Sequence, residues 1–333
     1  MKKIQITFFT VLIFLTALYQ SSHAEKKLAQ TGFQFLSVVS DARAGGMSEA
    51  MTTYLLNSGS LFFNPACMSG MTQMVDVAFS QNKWIADIKH NTFSAAYSPA
   101  KGRYGVFGVT FMNVDYGDIQ GTMVWGNTQG YIDTEILKPS AYSIGLGYSR
   151  ALSDKFYVGG QLKYVKQYYG KSVISTEADG YRVKKYVESA FAVDFGTYFK
   201  TGFRSVVFGM SIRNFSGDVK LEKEAFQLPL TFKMGLSANA FDFFAQSLKE
   251  SGHGLLVSID AAHPRDYPEY INLGGEYAFR QMIFLRSGYI LNHSEYNFSF
   301  GFGIQYFGIN FDYSYTPFKE FDNFQKLTMR FSL

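Results

Sequence analysis

The chain has 333 residues, a formal charge of +4, 34 Phe, 23 Tyr and 31 Gly, but only 7 Pro. So small and scattered a charge excludes a nucleic-acid-binding surface, which needs clustered Lys and Arg, and a single cysteine, Cys67, excludes an internal disulfide. Abundant aromatics and glycine with little proline suit β-structure whose hydrogen-bond ladder must stay intact.

In chain order, Lys2 and Lys3 precede an apolar core from Ile4 to Tyr19, and Ser22-His23-Ala24 sets small residues at both positions that signal peptidase reads. Residues 1–24 are expected to be an export signal cleaved after Ala24, and no cysteine follows at the position a lipid anchor would need. No later segment approaches the roughly 20 consecutive apolar residues of a membrane-spanning helix.

Residues 25–73 do not read as sheet. They hold Ala42-Arg43-Ala44-Gly45-Gly46-Met47 and Phe62-Phe63-Asn64-Pro65-Ala66, with many apolar side chains that need burial. So long a stretch before the first strand is no linker. It predicts a hatch, or plug, folded into a lumen, in which Arg43, Gly45, Gly46, Asn64 and Pro65 are the candidate working residues. Cys67 is expected to be an inert packing residue.

From residue 74 to Leu333 the chain alternates apolar with small or polar residues. Tyr142, Ile144, Leu146 and Tyr148 oppose Ser143, Gly145 and Gly147; Phe298, Phe300, Phe302 and Ile304 oppose Ser299, Gly301 and Gly303. A period of two belongs to strands, never to helices. Runs at 74–83, 88–98, 103–115, 139–151, 155–168, 188–199, 204–214, 229–240, 254–263, 269–279, 282–291, 296–307, 308–316 and 324–333 predict an all-β, antiparallel transmembrane barrel of about fourteen strands. Long connections at 116–138, 169–187 and 215–228 fall at one end and short ones at the other, apart from 241–253, which reads as a short amphipathic helix. That asymmetry is characteristic of outer-membrane barrels and puts the long connections outside. The last strand, with Leu327, Met329, Phe331 and Leu333 on one face, has the form read by the barrel-assembly machinery. The outward face implies contact with outer-membrane lipid and lipopolysaccharide.

Parity places Lys163, Asp194, Arg213, Lys233, Asp260, Glu276, Arg286, Asp312 and Arg330 on the inward face. Both signs occur, which predicts pairing with one another and with hatch groups, Arg43 among them, rather than a charge-selective pore. Ile119, Met123, Trp125, Phe215, Leu221 and Phe226 are apolar residues in the external connections, candidates for a binding surface or for packing over the mouth. Catalysis finds no foothold: the histidines occupy no nucleophile elbow or zinc helix. No catalytic, cofactor-binding or metal-ligating residue is assigned. His263, Asp266 and Glu269 read as a solvated turn between Pro264 and Pro268 rather than a cation site.

The runs FQFLSVVSDARAGGMSEA (33–50) and LFFNPACMSGM (61–71), with NKWIADI (82–88), VDYGDI (114–119) and DAAHPRDYPEYINLGGEY (260–277), resemble the PorV/PorQ family, whose barrels are FadL-like. The Asn-Pro-Ala element alone places only the FadL-like superfamily, and the family often has Gly where this chain has Cys67. The resemblance implies a docking component of type IX secretion, with a translocon subunit and secreted proteins bearing carboxyl-terminal sorting domains as partners. The alternative it leaves open is a FadL-like transporter that admits hydrophobic small molecules through a hatch-gated barrel.

Overall fold

The computed structural model describes residues 31–176, 180–293, 296–318 and 323–333; the expected export signal lies outside the described residues. The strands in chain order are β1 (Val75–Lys83), β2 (Lys89–Tyr97), β3 (Val106–Asp115), β4 (Ile119–Val124), β5 (Tyr131–Leu137), β6 (Ser140–Ala151), β7 (Phe156–Thr176), β8 (Gly180–Lys200) and β9 (Val207–Phe215). There follow β10 (Val219–Leu221), β11 (Glu224–Phe226), β12 (Thr231–Asn239), β13 (His253–Pro264), β14 (Tyr270–Phe279), β15 (Ile283–Leu291), β16 (Phe298–Tyr306), β17 (Ile309–Thr316) and β18 (Phe324–Ser332).

Fourteen of these form a closed antiparallel barrel, each paired with its sequence neighbours in the wall, and β1 closes on β18 from Asp76 opposite Ser332 to Lys83 opposite Gln325. Alternation explains the wall. Phe298, Phe300, Phe302 and Ile304 are exposed on the outer surface, while Ser299 and Gly303 are buried on the inner. A closed barrel of this kind satisfies every ladder group without an edge, as a lipid environment demands.

The departures from the sequence expectation lie beyond the wall. The connection expected at 169–187 is mostly strand: β7 runs on to Thr176 and β8 begins at Gly180, so this hairpin projects past its neighbours. The connection at 116–138 folds into its own hairpin, β4 with β5, and that at 215–228 contains the small hairpin of β10 with β11. Short polar-apolar repeats inside long loops carry too little alternation to announce hairpins this small. The segment expected to be helical at 241–253 is two short helices, Phe241–Phe244 and Gln246–Glu250.

The amino-terminal segment runs against the inner wall from one end of the barrel to the other. Gly32 N donates to Gln227 O at the end with long connections, and Met74 N donates to Leu333 O at the opposite end. Between them, Phe33, Phe35 and Leu36 pack on Met112, Val114, Ala141, Val165 and Ala192, inward residues of β3, β6, β7 and β8. Asp41 caps the helix Ala42–Gly46 by accepting from Ala44 N at 3.0 Å, and Ala42 N donates to Thr328 Oγ1 at 2.8 Å. This helix approaches β16 so closely that a Cβ on Gly46 would sit 2.8 Å from Gly301 Cα, so both positions need glycine.

Candidate functional site

The lower lumen is a network of paired charges. Arg286 on β15 donates to Glu276 on the adjacent β14 at 2.5 Å and, across β16, to Asp312 on β17 at 2.8 Å, and all three side chains are buried. Arg43 lies 3.7 Å from each of these carboxylates, and its Nη1 donates to Tyr54 Oη at 3.1 Å, which in turn donates to Glu276 at 2.6 Å. Arg330 meets Asp41 at 3.3 Å, Lys163 meets Asp194 at 2.8 Å, and Asp260 accepts from Thr52 N and Oγ1 at 2.8 and 2.7 Å. Structural pairing therefore accounts for most of the inward charge. Sequence parity missed Asp76, Lys326 and the segment acids Asp41 and Glu49. Lys326 was within reach of the same rule, two residues before Thr328 on the inward face.

Of the segment residues singled out by sequence, Asn64 is fully buried. Its Nδ2 donates to Thr52 O at 2.7 Å and Thr197 O at 2.9 Å, and its Oδ1 accepts from Ala66 N at 3.1 Å. Pro65 starts the 3₁₀ turn that follows. Cys67 Sγ lies 3.5 Å from Thr52 O, and burial pushes its thiol well above the usual range. A Cβ on Gly45 would meet Ser314 Oγ at 2.5 Å. These residues brace the segment; Arg43, Gly45, Gly46, Asn64 and Pro65 do not border the main cavity.

That cavity, of about 550 Å³, occupies the upper lumen at the end with long connections. It exists because residues 33–36 lean on the apolar face of β3 to β8 and leave the opposite side unfilled. Its upper wall is aromatic, with Trp84, Tyr267, Tyr270, Tyr296, Phe318 and Phe324; its lower wall holds Asn82, Arg213, Lys233, Lys326 and, from the segment, Glu49. Two backbone features aim polar groups into it. Ser48 and Glu49 both take positive φ, 48° and 63°, and Glu49 reaches Lys233 at 3.4 Å. Between β8 and β9 the register skips, so that Arg213 and Asn214 together oppose Asp194. Such a bulge re-aims a side chain: it turns Asn214 inward beside Arg213, so that both border the cavity, and Arg213 also borders two small voids around Phe62 and Met112. Its Nη2 donates to Leu36 O at 3.2 Å.

The external residues divide. Val124 and Trp125, at the tip of β4, and Ile119 are exposed, as is Phe215; Met123 and Leu221 are half-buried. Phe226 turns inward over the mouth, its ring 5.9 Å from that of Phe33, with Leu228 buried beneath. His263 meets Glu269 at 2.9 Å, whereas Asp266 accepts from Thr31 Oγ1 at 2.7 Å and Gln34 Nε2 at 2.6 Å, so the three do not converge.

Neither a family model nor a curated protein sequence matches the chain. Solved structures do. The CymD monoaromatic hydrocarbon channel superposes with a TM-score of 0.59 at 10% identity, covering 88% of this chain and 97% of that one. The Pseudomonas putida toluene transporter TodX gives 0.55 at 12%, covering 92% and 98%. A Pseudomonas aeruginosa FadL homologue gives 0.53 at 10%, covering 88% and 98%. At such identities the likeness defines the fold, which is that of FadL-like outer-membrane barrels. The finer resemblance to PorV/PorQ is carried by the sequence runs alone.

Proposed function

We propose that the chain is an outer-membrane channel for hydrophobic small molecules, with the 550 Å³ cavity as its entry vestibule and residues 31–73 as its hatch. The observation that carries this reading is an aromatic-walled cavity at the end with long connections, bordered on the segment's side by Gln34 and residues 36–39. Apolar, largely pre-formed concavities with a few placed polar groups are the ordinary form of small-molecule sites. The similar structures of a monoaromatic hydrocarbon channel and a toluene transporter support it. A ligand partitions from the outer leaflet onto the rings of the rim. It then passes Arg213 only when the latch to Leu36 O opens toward the voids near Phe62. Export by the amino-terminal signal delivers the chain to this membrane.

The test is uptake of the apolar dye N-phenylnaphthylamine by cells whose lipopolysaccharide leaflet is intact. Expression of the chain raises the rate, and Ser37→Trp, which places an indole in the vestibule from an exposed position, abolishes the increase. Equal rates with and without the chain contradict the proposal.

A second reading, docking in type IX secretion through a PorV/PorQ-like role, is favoured by the exposed Val124 and Trp125 on the β4–β5 hairpin. Deleting 119–137 would abolish capture of secreted clients or a translocon subunit while dye uptake persists; undiminished capture contradicts that reading.

A further inference from the structure

We infer that the vestibule prefers an aromatic organic acid to a neutral hydrocarbon of the same shape, with Lys326 receiving the carboxylate. The inference rests on the transport reading and specifies its ligand. Among the described residues, the deep cations of the lumen are matched by carboxylates: Lys163 by Asp194, Lys233 by Glu49, Arg286 by Glu276 and Asp312, Arg330 by Asp41. Two have no ion pair of their own, and both border the vestibule. Arg213 donates to a carbonyl and has a buried Nε without a hydrogen-bond partner. Lys326, only 6% exposed, has no hydrogen bond or ion pair among the described residues; the carboxylate acting on it, Glu49, is paired with Lys233, and the Lys326 ammonium lies 5.5 Å from the centre of the Phe324 ring.

A buried ammonium that shares its counter-charge with a second cation is left under-compensated unless something supplies another. Here the surroundings are short of partners in general. Ser314, Lys326, Asn82 and His90 stand in one cross-strand row, and Ser314 Oγ, Asn82 Oδ1 and both His90 ring nitrogens are buried without hydrogen bonds. Asn82 borders the cavity beside Lys326. A path for neutral hydrocarbon gains nothing from such a row. An acid does, because its carboxylate pairs with Lys326 while its ring lies against Phe324, Trp84 and Tyr270. Arg213 adds a second positive charge in the same cavity, which favours an anion at longer range.

The test uses the full-length protein in detergent with Trp125→Phe, leaving Trp84 in the vestibule as the sole indole. Bromine quenches indole emission on contact. We expect 4-bromobenzoate to quench saturably with a Kd at least about ten-fold below that of 4-bromotoluene. Lys326→Met erases that preference, bringing the ratio of the two Kd values to about one, and Lys326→Arg restores it. Equal affinities in the parent protein overturn the inference and leave the transport reading standing. Full displacement of the benzoate by millimolar chloride also overturns it, since the row would then be a site for inorganic anions. If neither compound quenches saturably, the vestibule is no small-molecule site and both readings fall.

Discussion

Replacing Arg286 by Met removes the central cation of the buried network while keeping an unbranched apolar chain of similar length. Arg286 sits 2.5 Å from Glu276 and 2.8 Å from Asp312. At an effective dielectric constant of about 20, charges 2.8 Å apart attract by about 6 kcal/mol, before desolvation is subtracted. The variant strands two carboxylates against the remaining Arg43, 3.7 Å from each, where the same arithmetic gives about 4.5 kcal/mol. Because Arg43 compensates in part, the loss should fall at the lower end of the roughly 3–5 kcal/mol typical of breaking a buried pair. About 3 kcal/mol is a hundred-fold or more in the folding equilibrium. Urea unfolding in phospholipid vesicles, followed by tryptophan emission and by heat-modifiable gel mobility, reads it out. The double variant Arg286→Met with Glu276→Gln removes one charge of each sign and should recover most of the loss. An Arg286→Met midpoint equivalent to less than about 0.5 kcal/mol would mean that the network is solvated, and the reasoning would be wrong.

Gly301→Val pushes a branched side chain into the helix Ala42–Gly46, since even a Cβ there would lie 3.0 Å from Gly46 Cα. It should cost about 1–3 kcal/mol and raise single-channel conductance in planar bilayers; unchanged conductance would show that this helix does not seal the lumen. Asn64→Ala forfeits three hydrogen bonds, two of them fully buried. A loss of about 1 kcal/mol for each is expected by the same urea assay, and an unchanged midpoint would count against the bracing role. The Cys67 thiol, raised by burial, stays protonated where an unfolded thiol ionises, so it contributes stability that is lost as pH rises above the unfolded value. Maleimide at pH 8 should leave the folded protein unlabelled and label it fully in denaturant; rapid labelling of the folded state would place Cys67 in solvent.

The wall was legible because its code is local. Parity along one strand decides the face of every residue, and adjacent strands repeat the rule without long-range information. That is why Arg213, Lys233 and Arg286 were placed inward correctly, and why β7 and β8 were foreshortened. Above the membrane neither face needs to be apolar, so alternation fades at Lys171 and Lys184 although pairing continues. The vestibule was not legible. It arises where Phe33, Phe35 and Leu36 choose one side of the lumen, a packing decision between segments far apart in sequence. Glu49 enters it through a left-handed backbone that no residue type announces, and Asn214 through a bulge visible only in the register. Phe226, read from sequence as a candidate for external contact or for covering the mouth, is engaged with Phe33.

The most direct measurement is diffraction at the bromine edge from crystals soaked in 4-bromotoluene. An anomalous peak is expected inside the vestibule, between Trp84, Tyr270 and Phe324. Bromine found only on the outer, lipid-facing belt, with the vestibule empty, would contradict a channel that takes up hydrophobic molecules through this cavity.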